Sequence, residues 1–269
     1  MALGYWPDFE NPKGFNEKVS AKKIYDRDPL LTVLADKHRA RDFVRDRLGE
    51  EDEEILIPQL YETDEPDTIP FDRLDGDYVI KANHGCRMTV FHREGEEIDE
   101  DVVRARLKLW LARDFGIRRG EWAYWNIPRK VVIERMLKDE NGEIPEDVKL
   151  FCFDGKCKII QVVDRKTKPR TGFYVDRNYQ PMKFGKKVIK RVDPVMPDNI
   201  DKLIEIAEKL SAGFDFVRVD LYSVQGRIYF GELTNYPGAG RMKMHPKEAE
   251  MESGKLWEGR QAFLPDPRD

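Results

Sequence analysis

The stretch that decides the fold reads FVRVDLYSVQGRIYFGELTNYPG and occupies residues 216–238. Two runs rich in β-branched and aromatic residues flank Gly226, a pattern that is typical of a β-hairpin. Apolar residues alternate with polar ones along both runs, so one face of the hairpin is expected to pack on a core. The apolar face would hold Val217, Val219, Leu221 and Leu233.

The polar face of this hairpin is expected to carry two carboxylates opposite each other. If the loop is three residues long, 225–227, Asp220 pairs with Glu232 and Arg218 pairs with Thr234. Two opposed carboxylates repel unless a cation lies between them. A hard divalent ion such as Mg²⁺, held by carboxylates together with phosphate oxygens, meets that need. A half-exposed hairpin whose polar face meets water is the structural alternative.

Length and charge narrow the class of protein. The 269 residues suffice for one large domain or for two or three lobes. Charged residues make up 36% of the chain at a formal net charge of −4, so the mixed charges argue against binding of nucleic acid through a basic surface. No apolar run approaches membrane-spanning length, and the N-terminus lacks the features of a signal peptide. Three unpaired cysteines then suggest free thiols in the cytoplasm.

The pattern along the chain predicts three parts. Residues 1–60 form an N-terminal region of broken helices that ends in the start of a strand. Residues 61–137 form a smaller lobe with strands, a phosphate loop and an amphipathic helix over 100–115. Residues 138–269 form a larger lobe that contains the hairpin.

A lysine and a glycine in the second part indicate a phosphate site. Lys81 ends a β-branched strand and Gly85 lies in the loop that follows, so loop amides and the lysine ammonium could cradle a polyphosphate. Lys37 follows a helix break and could be a second phosphate contact. Solvated surface lysines are the more common case for both positions.

A glutamate within the next strand suggests contacts to a nucleobase. Glu134 lies among apolar residues and needs partners if it is buried. The exocyclic amine of a nucleotide could be one partner, with the backbone around Met136 and Leu137 reading the adenine edge. A glutamate on an edge strand that faces water is an equally good interpretation.

Basic residues elsewhere could attract an anionic substrate. Residues 164–191 are basic and are expected to be irregular, and Arg165 and Arg170 within them could attract a uronic acid. A solvated loop explains these charges at least as well. Arg241, close behind the hairpin, could also reach the cleft.

Taken together, these motifs resemble the ATP-grasp superfamily, and within it the TupA-like group associated with teichuronopeptide and capsular polysaccharide synthesis. The resemblance rests on a lysine after a strand, a glutamate in the next strand, and Arg-x-Asp and Glu-x-Thr-Asn ahead of Pro-Gly. The matching segments span nearly the whole chain and are residues 11–18, 34–37, 81–85, 149–156 and 216–240.

The resemblance implies an α+β protein with the ATP-grasp fold, in which two α+β lobes clasp ATP beside an N-terminal helical segment. It implies ATP and Mg²⁺ as cofactors and an acid activated as an acylphosphate. Arg218 and Lys81 would be catalytic, and Asp220, Glu232 and Asn235 would hold the metal. The nucleotide would contact Lys37, Lys81, His84, Gly85, Glu134, Arg135, Met136, Leu137 and Lys149. The acid substrate would contact Arg87, Arg165, Arg170 and Arg241.

Two departures from the family pattern affect the site. Cys86, Arg87 and Met88 stand where many members of the group have a small, glycine-rich loop, which could place an arginine near the phosphates or the acid. ATP-grasp enzymes commonly carry Glu-x-Asn at the metal, whereas here Thr234 takes the third position and Asn235 follows it. By strand alternation, Asn235 is expected to face away from the metal pair.

The function implied is an ATP-dependent carboxylate–amine ligase that joins an amino acid to a sugar acid of a cell-surface polysaccharide. Its partners would be a small-molecule or oligosaccharide acid and an amine, with no nucleic acid and no integral membrane segment. A phosphotransferase acting on a sugar hydroxyl is a second candidate, and a non-catalytic nucleotide- or carbohydrate-binding accessory protein is a third. The intact pair of carboxylates and both lysines argue against the third, while the sequence does not separate the first two.

Overall fold

The structure is a computed structural model of the chain that describes residues 3–49, 54–166, 171–182, 184, 189–190, 195–244, 248–258 and 263–264. Within these residues the chain forms six α-helices and ten β-strands, which are arranged in two sheets. Helices and largely antiparallel strands are mixed along the chain, so the predicted α+β class is confirmed. No helix among the described residues is long and apolar enough to cross a membrane.

Three short helices form the N-terminal segment, as the sequence predicts. They are α1 (Phe15–Tyr25), α2 (Leu30–Ala35) and α3 (Ala40–Leu48). Phe15 is fully buried and meets the rings of Phe153 and Phe216 edge-on, at centroid distances of 6.2 and 5.5 Å. This aromatic cluster fixes α1 on the larger sheet.

The smaller sheet consists of β1 (Gln59–Thr63), β2 (Tyr78–Ala82), β3 (Thr89–His92) and β4 (Val131–Arg135). The strands are antiparallel and lie in the order β1-β4-β2-β3, so the boundary expected at residue 60 falls within β1. One face packs on α4 (Glu100–Leu111) through Ile80, Ile133 and Leu107. Because side chains alternate, the neighbouring residues of β2 and β4 point to the opposite face.

The larger sheet has six strands in the order β10-β9-β5-β6-β7-β8. They are β5 (Asp147–Phe153), β6 (Lys156–Asp164), β7 (Thr171–Asp176), β8 (Ile189–Lys190), β9 (Phe216–Val224) and β10 (Arg227–Thr234). β8 is parallel to β7, and all other neighbours are antiparallel. The helix α5 (Ile200–Ser211) covers the sheet, and α6 (Glu248–Lys255) lies near α1.

The sequence predicts that residues 164–191 are irregular, but the structure has two strands in this range. β7 and β8 lie within this range and extend the larger sheet at its edge. Tyr174 and Val175 of β7 are buried in the main core, which outweighs the basic composition of the surrounding segment.

The hairpin of β9 and β10 forms with the predicted pairs but with a different loop. Val224 pairs with Arg227, so the loop has only two residues, Gln225 and Gly226, and both have positive φ angles of 51° and 78°. The register then shifts by one residue at a bulge between Phe230 and Glu232. This bulge brings Asp220 opposite Glu232, as predicted, and leaves the apolar face in the core.

The segment 11–18 connects the N-terminus to the C-terminal helix. The Glu17 carboxylate accepts hydrogen bonds from the backbone N–H groups of Lys13 and Gly14, at 2.9 and 2.8 Å. The Asn16 backbone and side chain both donate to the carboxylate of Glu250 in α6. The segment 11–18 therefore has a structural role, because its polar groups hold two distant parts of the chain together.

Candidate active site

A cleft of about 560 Å³ lies between the two sheets, a size that suits a small-molecule ligand. The strands β2 and β4 line it on one side, and β9 and β10 line it on the other. Part of the lining is apolar and comprises Ile57, Val79, Phe91, Val132, Met136, Leu137, Ile144, Pro145 and Phe230. The charged part comprises Lys37, Arg41, Lys81, Arg87, Glu134, Arg135, Asp147, Arg165, Asp220 and Glu232.

Strand alternation brings Lys81 and Glu134 to the cleft. Both lie on the face opposite α4, and the Lys81 Nζ donates to the Glu134 Oε2 at 2.6 Å. The Glu134 Oε1 accepts from the Arg41 Nη1 at 3.2 Å. Glu134 is only 7% exposed, so its buried charge is balanced by two cations rather than by water.

The loop after β2 supplies the next part of the cleft wall. The Lys37 Nζ donates to the carbonyl of Gly85 at 2.5 Å, which holds the lysine against the loop. A Cβ at Gly85 would lie 2.5 Å from the end of the Met88 side chain and 2.7 Å from the Phe115 ring, so a larger residue would force these side chains to move. Arg87 is exposed at the cleft with a positive φ of 61°.

His84 of the same loop lies in the protein interior rather than at the cleft surface. It is 1% exposed, and burial, together with the positive charges of Arg129 and Lys37, lowers the pKa of its imidazole. The imidazole ring is therefore neutral at physiological pH.

The residues after β4 meet the cleft with their side chains. Met136 and Leu137 line the apolar part, while the Met136 N–H donates to the Asp77 carbonyl at 3.0 Å. The guanidinium of Arg135, the last residue of β4, pairs with Asp75 at 2.6 Å. The Met136 N–H is thus already engaged within the protein.

The two carboxylates of the hairpin line the cleft together. The Arg218 Nε and Nη2 donate to the two oxygens of Asp220 at 2.6 and 2.7 Å, and Nη2 also reaches the Glu232 Oε1 at 3.1 Å and the Thr234 hydroxyl at 3.0 Å. Lys149 lies directly opposite Asp220 on β5, and its Nζ also donates to that carboxylate. Asp220 is 3% exposed and so depends on these cations.

Charge around Glu232 keeps this carboxylate ionised. Burial would raise the pKa of Glu232, but the positive charges of Lys37, Arg218 and Lys149 outweigh it and lower the pKa to about 2. Burial would lower the pKa of Arg218, but the carboxylates of Asp220, Glu232 and Asp147 raise it above its ordinary value. Glu232 therefore offers ionised oxygen atoms, with cations nearby, at neutral pH.

The donor set of this pair fits Mg²⁺. Mg²⁺ is usually bound through one or two carboxylates, with water and substrate phosphates in its other positions. Asp220 and Glu232 are two such carboxylates on one wall of the cleft. Across the described ranges, no group of three or more His, Cys, Asp or Glu side chains is placed to hold a metal ion.

Like His84, the predicted site residues Asn235 and Arg241 do not line this cleft, and a third lies outside the described residues. Asn235 is 1% exposed and its Nδ2 donates to the Leu31 carbonyl at 2.7 Å, so it faces away from the metal pair as alternation predicts. Arg241 is exposed and does not line the cleft. Arg170 lies outside the described residues.

Asp147 lies between two cations that the sequence assigned to the site, Arg165 and Lys149. Asp147 is 2% exposed, accepts from the Arg165 Nε at 2.6 Å and lies 3.6 Å from the Lys149 Nζ. Arg165, Asp147, Lys149, Asp220 and Arg218 thus form a continuous chain of alternating charge. This network of ion pairs fixes the positions of the Lys149 ammonium and of the Arg165 and Arg218 guanidinium groups.

Sequence reasoning did not single out Arg41, Asp147 or Tyr124. For Arg41 a signal existed, because it precedes Val44 by three residues and so occupies the apolar side of α3. Tyr124 lies near Glu232, and burial raises the pKa of its hydroxyl well above the ordinary value, with Glu232 and Glu121 adding to the effect. No spacing in the sequence relates Tyr124 or Asp147 to the hairpin.

Comparison with known proteins gives one family and several distant structures. A family model described as TupA-like ATPgrasp matches residues 17–257. A structure of D-alanine–D-alanine ligase from Bacillus anthracis complexed with ATP is 18% identical, with a TM-score of 0.45, and the match covers 78% of this chain and 56% of that chain. No curated protein matches the chain.

Two further structures are similar at the same level. The ATP-grasp ligase PsnB, complexed with a phosphomimetic variant of its minimal precursor, Mg and ADP, is 14% identical with a TM-score of 0.43, covering 85% of this chain and 60% of that chain. The ADP complex of PurK, an N5-carboxyaminoimidazole ribonucleotide synthetase, is 13% identical with a TM-score of 0.49, covering 77% and 46%. The chain thus spans about half to three-fifths of the length of these structures.

Proposed function

The chain belongs to the TupA-like ATP-grasp family, and from this premise we propose that it is an ATP- and Mg²⁺-dependent carboxylate–amine ligase. We propose a sugar acid of a cell-surface polysaccharide as the acid, an amino acid as the amine, and the cytoplasm as the location. The observation that supports this proposal most strongly is the placement of Asp220 and Glu232 in one cleft with Lys37 and Lys81.

The proposed reaction has two steps. A carboxylate oxygen of the acid attacks the γ-phosphorus of ATP, the bond to the bridging oxygen breaks, and ADP leaves. The amine nitrogen then attacks the carbonyl carbon of the acylphosphate, inorganic phosphate leaves with its oxygen, and the nitrogen gives up a proton to solvent. Neither step needs a nucleophile from the protein, so positioning and electrostatic stabilisation supply the catalysis.

The cations of the cleft have distinct parts in this proposal. Lys37 and Lys81 would neutralise the phosphates of ATP from the side of the smaller sheet. Glu134 would keep Lys81 in position, since both of its oxygens already accept hydrogen bonds from cations. The apolar lining around Met136 and Leu137 offers a surface for the adenine ring.

The carboxylates of the hairpin would hold the metal. Asp220 and Glu232 are the proposed ligands, and bound Mg²⁺ supplies charge neutralisation for the phosphates. Arg218 would stabilise charge that develops on the transferred phosphoryl group, because its fork already spans both carboxylates. Arg87 and Arg165, which line the same cleft, are the proposed contacts for the anionic acid.

Product analysis tests this function. The protein is incubated with ATP, Mg²⁺, pooled uronic acids and pooled amino acids, and mass spectrometry searches for an acid–amine adduct that has lost water, together with ADP and phosphate. We expect such an adduct, and none from the Asp220→Asn variant. A phosphorylated sugar without any amide would assign a phosphotransferase instead, and binding of ATP without any product would assign an accessory protein.

A further inference from the structure

Basic residues outnumber acidic ones from the second turn of α4 to the start of β4, after the acidic Glu100 and Asp101 that begin the helix. Residues 102–130 contain two acidic residues, Asp114 and Glu121, in a chain whose formal net charge is −4. The basic residues of the same segment are Arg104, Arg106, Lys108, Arg113, Arg118, Arg119, Arg129 and Lys130. This stretch is therefore one of two basic stretches in a chain of negative net charge, the other being residues 164–191.

The outer side of α4 combines these charges with exposed apolar residues. Val102 is 51% exposed and Leu109 is 73% exposed, although Val103 and Leu107 on the inner side are buried. Helical spacing places Val102, Arg106 and Leu109 along one stripe, which Arg113 continues just past the helix end. Two large aliphatic side chains thus face solvent between arginines.

The arginines of this stripe are not neutralised by neighbours. Arg104 pairs with Glu100 and Lys108 pairs with Asp67, so those two charges are balanced. In contrast, the described part of the chain offers no ion pair to Arg106 or Arg113. Their charge is available to an external partner.

The segment that follows α4 has the same character. Ile117 is 53% exposed and Trp125 is 48% exposed. Arg118 and Arg119 follow Ile117 in sequence and are both exposed. Exposed apolar side chains next to arginines thus continue beyond the end of α4.

We propose that this α4 surface docks on an anionic phospholipid bilayer. The α4 surface is defined by Val102, Arg106, Leu109 and Arg113. Arginine is attracted to anionic headgroups, and aliphatic side chains enter the region between headgroups and acyl chains. A soluble polyanion would engage the arginines but leave Val102 and Leu109 in water, whereas a bilayer accommodates both kinds of side chain.

This docking is peripheral and independent of the proposed ligase activity. Neither α4 nor any other helix of the described chain is long and apolar enough to span a membrane. Marginal burial of a few apolar side chains binds weakly by itself, so charge and apolar contact are both required. The two contributions can therefore be tested separately.

Co-sedimentation with vesicles tests the proposal on the full chain. We expect wild-type protein to pellet with phosphatidylcholine vesicles that contain about one-third phosphatidylglycerol, and to stay in solution with pure phosphatidylcholine. High salt should release it, because the attraction is screened. The double variant Arg106→Gln/Arg113→Gln should bind roughly fivefold more weakly for each charge removed, and Leu109→Asn should also bind more weakly.

Matched variants control for net charge and for surface polarity. Lys202→Gln/Lys255→Gln removes two exposed charges on α5 and α6, and Val195→Asn replaces another side chain that is 61% exposed. Both controls should pellet as wild type does, and circular dichroism should show that every variant is folded. The readout does not involve ATP, so its failure is distinguishable from failure of the ligase proposal.

Three results would overturn the proposal. The first is wild-type protein that does not pellet with anionic vesicles at low salt. The second is binding that the arginine variant loses and Leu109→Asn keeps, since that indicates attraction to charge without insertion. The third is a change of oligomeric state in Leu109→Asn without vesicles, which would assign the α4 surface to contact between copies of the chain.

Discussion

Arg218 holds the centre of the candidate site through one planar group. Its Nε and Nη2 engage both oxygens of Asp220, and Nη2 extends to Glu232 and Thr234. A lysine carries the same charge but presents it as a single point without the fork. The geometry of the guanidinium, rather than its charge alone, is therefore the feature to test at this position.

We expect Arg218→Lys to lose turnover by roughly a hundredfold while its affinity for ATP changes little, because the contact is proposed to matter most in the transition state. Steady-state kinetics and calorimetry with ATP measure the two effects. Arg177→Lys, at a half-exposed arginine, is the matched control. A variant that turns over normally but binds ATP poorly would make Arg218 a ground-state ligand of the nucleotide.

Lys81 gives a second prediction at the scale of one residue. Lys81→Ala should weaken ATP binding by roughly 1.5–3 kcal/mol, the range for a charge-assisted contact. AMP should lose less, because the lysine is proposed to contact the phosphate tail. Calorimetry with both nucleotides measures this difference.

The control for this prediction is Lys130→Ala. Lys130 pairs with Glu62 at 2.8 Å and does not line the cleft, so its loss should leave both affinities unchanged. Equal losses for ATP and AMP in Lys81→Ala would place the lysine away from the phosphates.

At the scale of single elements, alternation predicts more of the site than loop length does. The sequence places Asp220, Glu232 and Arg218 on one face because a hydrophobic face must be buried, and the structure has that face. The assumed loop of three residues was wrong, and the bulge before Glu232 restores the pairing. A bulge depends on local backbone geometry that periodicity alone does not encode.

Other elements show where sequence reasoning fails. β7 lies in a basic segment, and its burial depends on pairing with β6 rather than on its own composition. Asp147 and Arg165 are 18 residues apart in sequence and meet only because β5 and β6 pair antiparallel. Contacts of this kind follow from the register of a sheet, which one sequence leaves open.

The helix α1 is fixed to two loops by a buried lysine. Lys23 is 8% exposed, and its Nζ donates to the carbonyls of Arg119 and Ala239 at 3.0 and 2.7 Å. Burial, assisted by the positive charges of Arg241 and Arg119, lowers the pKa of Lys23 to about 8, against the opposing effect of Glu121. Between pH 8 and the ordinary pKa of lysine, the unfolded chain therefore binds a proton that the folded chain has released.

Stability from this group rises with pH in that window, because the unfolded state holds more protons. The free energy of unfolding of wild type, measured relative to Lys23→Met, should increase by roughly 2 kcal/mol from about pH 7.5 to about pH 9.5. Urea denaturation at both pH values measures it. Lys202→Met, at an exposed position, should parallel wild type, and a Lys23→Met profile that also parallels wild type would contradict the assignment.

At the scale of the whole molecule, the cleft requires both sheets and the N-terminal helices. Lys81 and Glu134 come from the smaller sheet, Asp220 and Glu232 from the larger one, and Arg41 from α3. The sequence predicts the two lobes and most of the charged residues between them. It does not reveal that most of these residues are paired with each other before any ligand binds.

The thiol of Cys86 can serve as a chemical probe of access to the cleft. Cys86 is exposed and lines the cleft, whereas Cys152 and Cys157 are buried in the core. A thiol reagent should therefore label Cys86 much faster than the other two cysteines. Mass spectrometry of peptides identifies the labelled position and gives its rate.

The rate of Cys86 labelling with and without ATP and Mg²⁺ tests most directly that the cleft between the sheets is the nucleotide site. Saturating ATP with Mg²⁺ should slow labelling of Cys86 at least about tenfold, as expected when a ligand buries most of the cleft surface. In Asp220→Asn the added protection due to Mg²⁺ should disappear. A labelling rate that stays unchanged while calorimetry shows ATP bound would contradict the assignment and place the nucleotide elsewhere on the protein.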